Sequence, residues 1–179
     1  MPVSFKVDLS RVIEGLDKEK ENAEKVIQRT MSDLYTRAPG WINKEIRKEY
    51  SMSGKDGTLK SSVTVTGNKL SDIKITYKSR RLTTTHFKPA KKGNRITADI
   101  KHARKVLSSR AFFMTGNNSG GNVPVMRTTS NRYPIKTIRT VSVAQMVSTG
   151  SGIKANIEQV LNENLEKRFK NHCKQLLNK

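Results

Sequence analysis

The stretch LKSSVTVTGNKLSDIKITYK, residues 59–78, decides the fold class. Leu59, Ser61, Val63 and Val65 alternate with Lys60, Ser62, Thr64 and Thr66. After GNKLSD the alternation resumes, with Ile73, Ile75 and Tyr77 around Lys74 and Thr76. Period two places every second side chain on one face of a strand, so this spacing predicts a β-hairpin with one apolar side. On both flanks of the hairpin region the apolar spacing changes to three and four, the period of a helix.

Upstream, Leu9, Val12, Ile13, Leu16, Ala23, Val26, Ile27, Met31, Leu34 and Tyr35 form one helical stripe, with Asp8 or Ser10 as the cap. The stripe predicts a long helix to Arg37. Ala38-Pro39 predicts a break there, because the residue before a proline disfavours helical backbone. Pro39 then suits the first turn of a second, short helix carrying Trp41, Ile42, Ile46 and Tyr50, with Trp41 as a core anchor and SMSGKDGT, residues 51–58, as its end. At the other terminus Ile153, Ile157, Val160, Leu161, Leu165, Phe169, Cys173, Leu176 and Leu177 make an amphipathic helix that needs a cover.

Between hairpin and last helix, strands are expected at Leu82–Lys88 and Arg95–Ile100 around a Pro89–Asn94 tip, and at Ala111–Thr115 and Val123–Arg127 across the turn GNNSGGN. The fold class is α+β: a mostly antiparallel β-sheet with a long N-terminal helix, a second short helix and a C-terminal amphipathic helix packed on it. Along the chain this divides as a helical region 1–50, a basic sheet core 51–150 and a helix 151–179, within one structural domain.

The charge points to a partner. The chain of 179 residues carries +20, and residues 51–150 alone hold nineteen Lys and Arg against three acids. A field of one sign attracts polyanions or acidic protein surfaces. No run of about 18 apolar residues can cross a bilayer, and MPVSFKVDLSR has no apolar signal stretch, so no membrane partner is expected. Cys173 is the single cysteine, read as an inert thiol on a buried stripe. His86, His102 and His172 have no metal-ligand spacing, and Asp56, Asp72 and Asp99 are too scattered for acid/base work. Gly-rich GNNSGG lacks the Lys and following helix of a phosphate cradle. Neither an enzyme, a metal nor a cofactor is expected.

The candidate partner-facing or DNA-facing surface is Lys78, Arg80, Arg81, Lys88, Lys91, Lys92 and Arg95, continued by Lys101, Arg104, Lys105 and Arg110. Base stacking needs exposed aromatics among such cations, and Phe87, Phe112 and Phe113 read as sheet core. Any contact with nucleic acid is therefore expected to be independent of sequence.

The order of short motifs through the centre resembles the minor tail protein Z family of tailed bacteriophages and prophages. Thr85, His86, Phe87 and Lys88 match its THFK-like element, Ala111 and Phe112 its "AF" strand, and Val125 with Arg127 its V-x-x-R strand. Tyr133, Pro134 and Ile135 match its LPI, and Ser142, Val143, Gln145 and Met146 its S-V-x-Q-M. The likeness covers roughly residues 80–165. Arg139, Thr140 and Val141 stand before Ser142, so the family's Gly-Pro turn is missing.

The resemblance implies a structural virion protein: a tail-completion or neck subunit, forming a ring, commonly sixfold, at the head-proximal end of the tail. Its partners would be further copies of itself, the tail terminator, tail tube or head connector, and non-specifically the genomic DNA in the lumen. It would be assembled in the host cytoplasm and reside in the virion. The segment PIKTIRTVSVAQM, with Ile135, Ile138, Val141, Val143 and Met146, is a candidate to seal either the core or a subunit interface.

Overall fold

The computed structural model describes residues 20–52, 57–67, 69, 72–115, 122–149 and 152–177. The cap at Asp8 or Ser10, the stripe from Leu9 to Leu16 and the GNNSGG tip lie outside the described residues, as does the side chain of Leu177. The class is α+β, as the periodicities predict, and every strand pairing is antiparallel. The strands form three small sheets rather than one. The chain gathers into two compact units, one drawn from residues up to 46, 58–78 and 144 onward, the other from 47–57 and 79–143.

The first unit takes most of helix α1 (Lys20–Glu49). The break expected at Ala38-Pro39 does not occur: α1 runs through Pro39. Pro39 has no N–H for the Tyr35 carbonyl, a loss that disfavours helix interiors by about 3 kcal/mol. Against it stands an unbroken buried stripe of Leu34, Ala38, Ile42 and Ile46, each no more than 1% exposed. Burying Leu34, Ile42 and Ile46 yields about 1.5–3 kcal/mol each, which together outweighs the missing bond. Trp41 is half-buried rather than a core anchor, because it lies off that stripe.

Leu59 is buried, but in a single helical turn, α2 (Thr58–Ser61), not in a strand. The hairpin proper is β1 (Val63–Thr66) against β2 (Lys74–Tyr77), with Val63 opposite Tyr77 and Val65 opposite Ile75. Gly67 closes its inner end at φ +137, where a Cβ would stand 2.5 Å from the Asp72 carbonyl oxygen, so only glycine fits. The Tyr35 hydroxyl donates to the Gly67 carbonyl and ties the turn to α1. Helix α3 (Val143–Thr149), which has no counterpart in the expected elements, leads to α4 (Ile153–Leu177). Ile153, Ile157, Leu161, Leu165 and Phe169 are all at most 3% exposed and make the predicted stripe. Cys173 is half-buried, and burial pushes its thiol above its ordinary pKa, which keeps it protonated.

The second unit carries two three-stranded sheets. One is β3 (Ala90–Lys92), β4 (Arg95–Asp99) and β5 (Arg104–Val106), with β4 central. The other is β6 (Ala111–Thr115), β7 (Asn122–Arg127) and β8 (Ile135–Thr137), with β7 central. The strand expected over Leu82–Lys88 is mostly a 3-10 turn, Thr84–Phe87, that buries Thr84 and Phe87. Only its first residues stay extended: Leu82 N–H donates to the Val141 carbonyl, Thr140 N–H to Leu82, and Thr84 N–H to Ile138. Lys88 ends the turn in left-handed backbone, and the hairpin tip shortens to Gly93-Asn94, placing Lys91 and Lys92 on a strand.

Candidate polyanion-binding face

The second unit holds seventeen Lys and Arg against three acids, fourteen of the chain's twenty net positive charges. Its sheets set where they stand. All eleven cations singled out by sequence are exposed: Lys78 on the first unit, and Arg80, Arg81, Lys88, Lys91, Lys92, Arg95, Lys101, Arg104, Lys105 and Arg110 on the second. Directly opposite residues of an antiparallel pair share a face. Lys92 opposes Arg95 across the β3–β4 tip, and Arg104 opposes Asp99 across β4–β5. Like charges placed opposite each other destabilise a hairpin, an arrangement that an approaching anion relieves.

Few of these cations are neutralised. Among the described residues, Lys101 is the one of the eleven in an ion pair, 3.9 Å from Glu49, and it also lies 5.2 Å from the centre of the Tyr50 ring. Arg104 donates to the Thr97 hydroxyl at 3.4 Å, and that hydroxyl donates to the Ala90 carbonyl, so the three strands are laced on one face. Asp99 is the single acid between 79 and 143, set against Arg104 on the neighbouring strand, and its Oδ1 is buried without a hydrogen-bond partner.

Phe87 is fully buried, as expected of a core residue. Phe112 and Phe113 are not: both are half-buried, and both border a groove with Lys91, Asn94, Ile96 and Ala111. The Arg127 guanidinium lies 5.0 Å from the centre of the Phe112 ring. Sequence pattern hid this because β6 sits at the edge of its sheet, and period two cannot tell an edge strand from a central one.

The histidines play separate structural parts. His102, at φ +49, makes a 3.0 Å hydrogen bond through Nδ1 with the Ser51 hydroxyl and reaches the Arg47 carbonyl through Nε2 at 3.1 Å. In the first unit, His172 Nε2 lies 3.0 Å from Asp33, which also accepts from Arg37 Nε at 2.9 Å and faces Arg168 at 3.9 Å. Burial pushes the Asp33 carboxyl up, but the hydrogen bonds from Arg37 and His172 and the charges of Arg37 and Arg168 outweigh it and hold it below its ordinary value. Among the described residues no three His, Cys, Asp or Glu side chains gather where a metal could be held.

Of the segment proposed to seal core or interface, Val143 and Met146 are fully buried and serve packing. Ile135, Ile138 and Val141 are half-buried. Arg139, in the place of the missing Gly-Pro turn, forms a β-bridge with Thr83. Comparison with protein-family models, with curated proteins and with solved structures finds no match in any of the three.

Proposed function

We propose that the chain is a non-enzymatic structural subunit of a tailed phage or phage-tail-like particle, a tail-completion or neck protein that rings the head-proximal end of the tail and helps join it to the head. The observation that carries this reading is the strongly basic second unit, in which Arg80, Arg81, Lys88, Lys91, Lys92, Arg95, Arg104, Lys105 and Arg110 are exposed and outside any ion pair among the described residues. A subunit lining or abutting the genome's path has a use for such a face, since it meets phosphates or an acidic rim. The motif order from Thr85 to Met146 supplies the family context. No helix among the described residues is long and apolar enough to cross a membrane.

Ring formation by one kind of subunit needs two unlike surfaces on each copy. The second unit offers exposed edge strands β5 and β8, and Val106 on β5 is 49% exposed. Negative-stain imaging of the full chain mixed with tail tubes of its own particle tests the reading. Rings, or tubes capped at one end, are expected; bare tubes beside dispersed monomers overturn it. A second reading, a sequence-independent nucleic-acid-binding protein, draws on the half-buried Phe112 and Phe113 among the cations.

A further inference from the structure

Beside the β3–β4 tip lies a groove of about 360 Å³, lined by Lys91, Asn94, Ile96, Ala111, Phe112 and Phe113. Its volume is in the lower part of the roughly 300–1,000 Å³ range of small-molecule sites, room for one planar ring system and little more. Two of the six lining residues are phenylalanines, one is a cation, and Asn94 supplies an amide with both donor and acceptor atoms. Lys91 and Ile96 are directly opposite across the hairpin and share the face that lines the groove, while the exposed pair Lys92 and Arg95 belongs to the other face of the same strands.

We propose that this groove takes one unstacked base of a single-stranded nucleic acid, while Lys91, which lines it, holds a neighbouring phosphate. The inference rests on the polyanion-facing reading of the second unit and adds to it a preference for unpaired strands. Every base offers a π-face to Phe113, the lining ring that no guanidinium covers among the described residues, and a nucleic-acid strand brings with each base a negative charge that Lys91 can meet. A base inside a duplex stays stacked on its neighbours and cannot enter the groove. Residues outside the second unit are themselves net positive, so net charge does not draw a second copy onto this face.

Fluorescence anisotropy of the full chain with three labelled probes of about ten nucleotides tests this: oligothymidylate, the same backbone with abasic sites, and a duplex. Oligothymidylate is expected to bind about five- to a hundredfold more tightly than the abasic strand, the span of one stacked base. Phe113→Leu, which keeps apolar volume but removes the ring, should abolish that advantage, and Phe113→Tyr should keep it. Lys91→Gln should lower the salt slope on single strands by about 0.7. Equal, salt-sensitive binding of all three probes overturns the groove and leaves the basic face standing. Failure of all three to bind overturns both. Polyglutamate that outcompetes oligothymidylate, with Phe113→Leu weakening only polyglutamate, assigns the groove to an acidic protein and overturns the base site.

Discussion

Asp33 gathers His172, Arg37 and Arg168 around one carboxylate and so joins α1 to α4. Because the folded carboxylate binds a proton less readily than the unfolded one, its contribution to stability is complete above the ordinary value of 3.8 and is lost as pH falls through the depressed value. Asp33→Asn should lower unfolding free energy by about 1–2 kcal/mol at neutral pH, the scale of charge-assisted hydrogen bonds at a partly exposed site. Urea denaturation of both proteins at neutral pH and at about pH 3 checks it: the gap should narrow in acid. A gap that stays constant would mean that the substitution costs only packing. Nothing in the spacing of Asp33 and His172, 139 residues apart, pairs them; sequence marks both as polar positions flanking apolar stripes, and only the packing of two helices brings them together.

At the level of elements, α4 was the most legible part of the chain, since five buried residues recur every four positions from Ile153 to Phe169. Leu165→Ala should cost about 2–5 kcal/mol, read as a drop in the denaturant midpoint at unchanged slope, because it empties a fully buried site. The passage of α1 through Pro39 was not legible, as local preference at a proline argues for a stop and only tertiary burial of Ala38 and Ile42 overrides it. Pro39→Ala restores a donor to the Tyr35 carbonyl, and the same titration should show a gain of up to about 3 kcal/mol. A loss instead would mean that the buried Pro39 ring contributes more by packing than it costs the helix. Strands β5 and β8 escaped for a different reason: Arg104, Lys105 and Val106 are all exposed, and a three-residue strand with no buried face leaves no alternation to read.

For the molecule as a whole, the exposed cations follow directly from sequence, because Lys and Arg are rarely buried unpaired. Their division between two units does not, since each unit is assembled from stretches far apart in the chain. Replacing Lys91, Lys92 and Arg95 together by Glu should leave the thermal unfolding transition nearly unchanged, as all three are exposed and lie outside any ion pair among the described residues. The same variant should lose duplex DNA affinity and reduce the slope of log K against log salt by roughly 0.9 for each phosphate contact removed. If affinity and slope survive, the face is a solvated surface with its partner elsewhere. For the proposed ring of chain copies, the decisive measurement is sedimentation velocity of the full chain over a concentration series. A single closed oligomer that grows no further with concentration is expected, sixfold by the family resemblance; a monomer at every concentration, with and without tail tubes, overturns the ring.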